Sequence, residues 1–263
     1  MKWQQKAEEA VGRAPFFVRK IIRKRVEEEA ARSGASEVRL EHVKSCQRKF
    51  LSNMEDEVQG FQIEQCFGQD GCLNQAVKNQ TLAGEIERIL AGGNLKKFLK
   101  SKVTEPLKLH HQFRVAIADC PNACSRPQIV DIGLIGARQP SLDPELCTNC
   151  GACAEVCKEQ AITTGDTGDF PALHDQKCVN CGQCIEVCSS GAIRERRRGY
   201  RILIGGKLGR HPQLGAELQG IRSMQEVLVI VERCLDHYLE LNVCGERFGE
   251  ILNRHPLEIH LQT

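Results

Sequence analysis

Fifteen of the 263 residues are cysteine, and most of them fall in spacings that bind metal. Cys147, Cys150, Cys153 and Cys157 form one Cys-x2-Cys-x2-Cys-x3-Cys run, and Cys178, Cys181, Cys184 and Cys188 form a second. The repeat extends beyond the thiols. Cys147-Thr-Asn-Cys-Gly-Ala-Cys-Ala-Glu-Val-Cys157 parallels Cys178-Val-Asn-Cys-Gly-Gln-Cys-Ile-Glu-Val-Cys188, and Ala161-Ile162 returns as Ala192-Ile193. A repeat of this kind predicts two half-units packed with pseudo-twofold symmetry. Soft thiolates select iron–sulfur clusters or zinc. Three cysteines at such short intervals wrap one face of a four-iron cubane, with Gly151 and Gly182 letting the backbone close around sulfur. Zinc sites favour paired Cys-x2-Cys knuckles instead, so two zinc sites are the competing chemistry. Two looser pairs, Cys66-x5-Cys72 and Cys120-x3-Cys124, again supply four thiolates, enough for one more cubane. Cys46, Cys234 and Cys244 lie outside any such spacing and read as ordinary buried thiols.

The repeat resembles the bacterial two-cluster ferredoxins, in which the fourth cysteine of each run ligates the other cluster. The resemblance assigns Cys147, Cys150, Cys153 and Cys188 to one cubane and Cys178, Cys181, Cys184 and Cys157 to the next. The run departs from that pattern in having Lys158 and Ser189, not proline, after each fourth cysteine. A second resemblance rests on DCPNACSRPQIVDIGLIG at Asp119–Gly136, YRILIGG at Tyr200–Gly206 and GERFG at Gly245–Gly249. With the two loose pairs, these resemble the siroheme–[4Fe–4S] domain of the sulfite and nitrite reductases, over roughly residues 61–138 and 199–255. The ferredoxin block sits between them, as in the dissimilatory-type enzymes. The resemblance implies that Cys66, Cys72, Cys120 and Cys124 hold a cubane and that Cys124 also bridges to siroheme iron. Three [4Fe–4S] clusters and siroheme are the cofactors expected.

A third resemblance lies at the N-terminus. Trp3, Ala7, the run Pro15–Arg19 and the acidic stretch Glu27–Ala30 resemble the small C-terminal helical domain of light-independent protochlorophyllide reductase, another tetrapyrrole family. Siroheme is rich in carboxylates, and Arg19, Lys20, Arg23, Lys24 and Arg25 offer a dense set of cations. Arginine suits bidentate carboxylate pairing. The plainer reading is a solvated helix face with i,i+4 pairs to Glu27–Glu29. Arg114, Arg126, Lys207 and Arg210 flank the reductase motifs, where each is either a contact to siroheme or an anionic substrate, or a surface charge. Arg194 and Arg196–Arg198 make a basic patch after the last repeat cysteine, which either steers an acidic electron donor or is simply solvated. His110 and His111 read as structural.

The elements that must position these groups form an α+β pattern. Residues 1–50 read as charged helices, with Pro15 in a first turn, a break at Ser33–Ser36 and a further helix over Glu37–Phe50. Helical spacing continues over Gly71–Leu90 through Leu73, Ala76, Val77, Leu82, Ile86 and Leu90. Phe113–Ala118 and Gln128–Ile135 read as strands, as does Tyr200–Ile204 before Gly205-Gly206. An amphipathic helix follows near Ser223–Leu239, then a polar C-terminal segment. The domain reading is a helical segment at 1–50, a reductase-like domain at 61–138 plus 199–263, and a ferredoxin domain at 139–198 inserted into it.

The totals narrow the function. The net charge is +2, which points to neither nucleic acid nor an anionic membrane surface. The opening MKWQQKAEEA lacks an apolar stretch, and no apolar run is long enough to cross a bilayer, so a cytoplasmic chain is expected. The leading expectation is multi-electron reduction of sulfite, nitrite or a related small oxyanion, with electrons received from a donor protein or redox-complex subunits. A siroheme-free electron-transfer subunit with three cubanes is the alternative, and a tetrapyrrole carrier or partner is a third. A homo-oligomer sharing cations across an interface is compatible with each.

Overall fold

The computed structural model describes residues 1–164 and 170–258, the side chains of residues 17, 51–54 and 69 excepted. The last residues of the expected polar C-terminal segment, 259–263, lie outside that set. The chain divides into two compact units, one of residues 1–59 and 103–110, the other of residues 60–102 and 111–263.

In the first unit, strand β1 (Lys2–Trp3) pairs in parallel with β2 (Glu37–Val38), and three helices pack around them: α1 (Gln5–Gly12), α2 (Phe16–Arg32) and α3 (Leu40–Glu57). Ala7 and Val11 on α1 and Val26 and Ala30 on α2 recur at the i,i+4 interval that puts side chains on one face, and all four are buried. Glu37 and Val38, expected to open a helix, instead pair with β1, and the helix begins at Leu40. The three helices surround an apolar cavity of about 450 Å³ lined by residues such as Val11, Ile22, Val43 and Cys46.

The second unit is built on a five-stranded sheet in the order β3 (Phe61–Gln65), β4 (Phe113–Ala118), β5 (Ile132–Leu142), β8 (Ile193–Ile204), β9 (Ala216–Glu217). The first three strands are parallel, and β8 runs antiparallel to both of its neighbours. Alternate residues Val115 and Ile117, Ile132 and Leu134, and Ile202 and Ile204 face a core closed by helix α4 (Leu82–Gly92), α5 (Leu95–Lys102), α8 (Met224–Leu241) and α9 (Phe248–Arg254). Helix α8 opens on a capping box: Glu226 N donates to Ser223 Oγ at 3.3 Å, and Ser223 N donates to Glu226 Oε2 at 2.7 Å. Asp131, fully buried at the head of β5, accepts from Arg114 N at 2.8 Å, from Phe248 N at 3.3 Å and from the Arg247 guanidinium. Burial pushes this carboxyl up, while Arg247 and then the two backbone donors pull it down. The pair clasps α9 onto the sheet, which gives the GERFG motif a structural role.

Two strands differ from expectation. The Gln128–Ile135 strand begins only at Ile132, because Pro127–Ile129 is a 3-10 turn entered through Arg126 in the left-handed region (φ 55°). Strand β8 begins at Ile193, well before Tyr200, and pairs with β5 as a long two-stranded arm. The cysteine repeat lies between those arm strands, with helices α6 (Ala152–Val156) and α7 (Gln183–Glu186) and the short ladder β6 (Ile162–Thr163) with β7 (Ala172–Leu173). Helix over Gly71–Leu90 is a larger correction, since only Leu82–Gly92 is helical. Ala76 N and Val77 N both donate to the Asp119 carbonyl, at 2.9 and 3.1 Å, and Leu73 is fully exposed. Those backbone donors are thus spent across the fold, leaving none for a helix of their own.

Candidate metal centre

Cys66 leaves the end of β3, and Cys120 leaves the end of its neighbour β4, so parallel pairing brings the two loose pairs to one edge of the sheet. A 3-10 turn at Phe67–Asp70 and Gly71 in the left-handed region (φ 101°) return the chain to Cys72. Ala123, at φ 52°, makes the tight turn between Cys120 and Cys124. Asp119 ties both turns together. Its N–H donates to Cys66 Sγ at 3.3 Å, its carboxylate accepts from Gln75 Nε2 at 2.9 Å, and its carbonyl takes the Ala76 and Val77 donors. The neighbouring glycines make room for it. A Cβ on Gly68 would lie 2.2 Å from Asp119 Oδ2, and one on Gly136 would lie 2.3 Å from Asp119 O. Burial pushes the Asp119 carboxyl up, against the pull of Gln75 and Cys66.

Cys120 is buried and Cys124 exposed, so one thiol anchors the set while another opens to the surface. Burial pushes the Cys120 thiol up, and Cys72, Cys124 and Cys66 are near enough to push it further. Burial thus opposes ionisation of Cys120, and a coordinated metal reverses this, since it deprotonates the thiols that bind it outright.

The repeat folds as two copies of one turn. Asn149 and Gly151 sit at φ 53° and 79°, Asn180 and Gly182 at φ 60° and 77°, and each glycine opens a short helix carrying the third cysteine. Desolvation pushes the buried Cys184 thiol up to about 12, reinforced by Cys181, Cys178, Cys153 and Cys157. Cys157 bears on Cys178 as well, whereas the thiols bearing on Cys153 are Cys147 and Cys150. A cavity of about 30 Å³ is lined by Cys157, Cys178, Cys181 and Cys184. The fourth cysteine of the first run thus stands with the second run. Cys188 packs in one apolar cluster with Cys153, Cys157 and Cys184, and its sulfur accepts from Ile193 N at 3.2 Å. Among the described residues, no three His, Cys, Asp or Glu side chains converge tightly enough for a single metal ion. A cubane is held at its separate iron corners, so its thiolates stand farther apart than ligands around one ion. Four thiolates apiece is the donor chemistry that a four-iron cluster takes.

Two contacts join the repeat to the sheet-edge cysteines. Gln183 Nε2 donates to Asn74 Oδ1 at 3.4 Å, and a cavity of about 110 Å³ is lined by Cys120 and Asn122 on one side and by Cys157 and Cys181 on the other. Arg138 fixes the repeat to the arm. Its N–H donates to Asn180 O at 2.7 Å, and its half-buried guanidinium pairs with Glu186 and with Glu195 at 2.6 Å. Neither Asp119 nor Arg138 was singled out from sequence, although Asp119 opens the DCPN motif.

The expected basic contacts are all placed, and most have partners. Arg114 donates to Gln62 Oε1 at 3.0 Å, Arg126 to Glu64 Oε1 at 2.8 Å, and the buried Lys207 to Glu250 Oε1 at 2.8 Å. On α2, Arg19 donates to Ala14 O at 2.7 Å, Lys20 is exposed, and Arg23 pairs with Glu8 at 2.8 Å while covering the Trp3 ring at 4.6 Å. Cys234 is buried as expected. Cys46 is only half-buried in the helical cavity, and Cys244 is exposed in the turn after α8.

A fold with cysteines at this sheet edge defines an iron–sulfur protein, and comparison with known proteins agrees. Residues 62–259 match the nitrite and sulphite reductase 4Fe-4S domain, and the chain belongs to that family. Residues 3–46 match the proto-chlorophyllide reductase 57 kD subunit. The coenzyme F420-dependent sulfite reductase of Methanocaldococcus jannaschii is 43% identical over 128 residues, covering 49% of this chain and 20% of that protein. A subunit of the anaerobic sulfite reductase of Salmonella typhimurium is 31% identical over 61 residues, covering 23% of this chain and 18% of that protein. The chain thus spans about a fifth of each of these relatives. Dissimilatory sulfite reductase I, a solved structure, is 20% identical with a TM-score of 0.49, covering 73% of this chain and 49% of its own.

Proposed function

We propose that this iron–sulfur oxidoreductase reduces a small oxyanion such as sulfite or nitrite, with three four-iron clusters and siroheme as its cofactors. Cys66, Cys72, Cys120 and Cys124 would hold the cluster at the sheet edge. Cys157, Cys178, Cys181 and Cys184 would hold the second, and Cys147, Cys150, Cys153 and Cys188 the third. When bound, these clusters supply one-electron storage, and siroheme supplies an iron with an open position for the substrate. The observation that carries this reading is the shared lining of Cys120, Cys157 and Cys181 in one cavity, reinforced by the Gln183–Asn74 bond. It supports a reading in which the Cys157 group would stand next to the sheet-edge group. The loop that would carry Cys147 and Cys150 is largely exposed at Pro144–Cys150, within reach of a donor protein.

The protein's own residues prepare the site. Asp119 locks the Cys66 and Cys120 turns in one geometry, so little reorganises when charge changes. The exposed Cys124 sulfur is free to reach a second metal. Arg114 and Arg126 lie on the same face as Gln62 and Glu64, where an anion would compete for them. Anaerobic turnover of sulfite and nitrite by the chemically reduced chain tests the reading. Turnover of either anion is expected, and no reduction of either by siroheme-loaded protein would contradict it.

A second reading, a siroheme-free electron-transfer subunit, is favoured by one observation. Arg114, Arg126 and Lys207 already have protein partners, so the three cations that flank the reductase motifs are committed elsewhere than to siroheme carboxylates. Three clusters without siroheme in protein loaded anaerobically would select it.

A further inference from the structure

The β5–β8 arm carries a β-bulge between Gln139 and Pro140. Gln139 faces Arg197 and Pro140 faces Glu195, which leaves Arg196 as the extra residue. Proline explains the break, since it has no N–H to give the ladder. A bulge re-aims the side chains around it, and here every residue from Arg194 to Arg198 is exposed. Their charges are not equally committed. Arg198 pairs with Glu195 at 2.8 Å, and Glu195 is also taken by Arg138. Arg194 Nε donates to Gly191 O at 3.1 Å. The side chains of Arg196 and Arg197 make no hydrogen bond or ion pair among the described residues. The ridge begins where Ile193 N meets the Cys188 sulfur, and Arg138, facing Arg198 across the arm, bridges to Cys181. Two uncommitted cations, flanked by Arg194 and Arg198, thus stand on the arm that carries the cysteine repeat.

We propose that this arginine ridge, centred on Arg196 and Arg197, is the docking surface for an acidic electron-carrier protein. The inference rests on the proposed ferredoxin-type clusters and names the partner that feeds them. Charge of one sign beside a redox centre raises encounter rates and orients the partner, by roughly 10- to 1000-fold at low salt. In each encounter the carrier loses one electron and this chain gains it, with no bond made or broken. Nucleic acid fits less well, because residues 193–198 contain no aromatic ring on which a base would stack.

The test is the binding of a plant-type acidic [2Fe–2S] ferredoxin to the iron-loaded chain, measured at low and physiological salt with iron counted on the same sample. Affinity is expected to fall steeply with salt, to drop about tenfold or more in the R196E/R197E double variant, and to survive in R196K/R197K. Photoreduction by deazaflavin, which needs no docking, should run alike in all three proteins. Equal ferredoxin affinity in R196E/R197E with full iron would overturn the ridge and leave the clusters standing. Tighter binding of a DNA duplex than of ferredoxin would also overturn it. An iron count near that of one cubane would instead remove the cluster reading, and the proposal with it.

Discussion

At the scale of single residues, the sheet-edge turns depend on a residue that is not itself a cysteine, and mostly on its backbone. Asp119 is bonded to the Cys66 sulfur, to Gln75 and to the backbone beyond Cys72, and it fits only because Gly68 and Gly136 lack side chains. Gly136→Ala would drive a methyl group into the Asp119 carbonyl, an overpacking that costs about 1–3 kcal/mol. The variant should lose about four irons, those of one cubane, and keep the rest. A full iron complement in Gly136→Ala would remove Asp119 from its role as organiser. Cys124→Ser tests the neighbouring claim: siroheme absorption and anion turnover should vanish while the repeat keeps its iron. Cysteine spacing is local and therefore legible: Cys66 and Cys120 follow the paired strands β3 and β4, and Cys66, Cys72 and Cys124 lie near enough to Cys120 to push its thiol up. Asp119 was not legible, because a lone carboxylate takes meaning only from groups far away in sequence. The partners of Arg114, Arg126 and Lys207 were hidden for the same reason.

At the scale of elements, strand β4 and helix α8 follow directly from their residues. Phe113, Val115 and Ile117 of FRVAIA alternate into the main core, and Ser223 with Glu226 caps the start of α8. Ser223→Ala should lower stability by about 1 kcal/mol, read as a lower unfolding midpoint. The Lys207–Glu250 pair joins the loop after β8 to α9, and Lys207 holds the Glu250 carboxyl below the usual carboxylate range. A depressed folded-state value gives stability that is present above the ordinary carboxylate pKa and is lost as pH falls through the folded value. Lys207→Met should therefore cost about 1 kcal/mol at neutral pH, a modest sum because Glu250 is partly solvated. The difference from wild type should shrink in unfolding curves below about pH 4. An equal difference at pH 7 and pH 3 would mean that the lysine acts by packing alone. Periodicity misled where long-range bonds won. The apolar spacing of Leu73, Ala76 and Val77 suits a helix, but their stretch is bound to the Asp119 carbonyl. The reach of the β5–β8 arm was also missed, since arginines at 194–198 do not alternate as a half-buried strand would.

For the molecule as a whole, the second unit holds all twelve expected ligand cysteines on one sheet and the arm that extends from it, while the first unit carries the helical segment matched to a tetrapyrrole enzyme. The central claim is that the three thiolate sets hold three cubanes, one of them coupled to siroheme. A visible spectrum with an iron and zinc count on anaerobically purified, siroheme-loaded protein tests it most directly. The expected result is about thirteen irons per chain with siroheme bands in the red, from three four-iron clusters and one haem iron. About twelve irons without those bands would shift the account to the electron-transfer subunit. About four irons, or zinc in place of iron at the Cys147–Cys188 repeat, would contradict it.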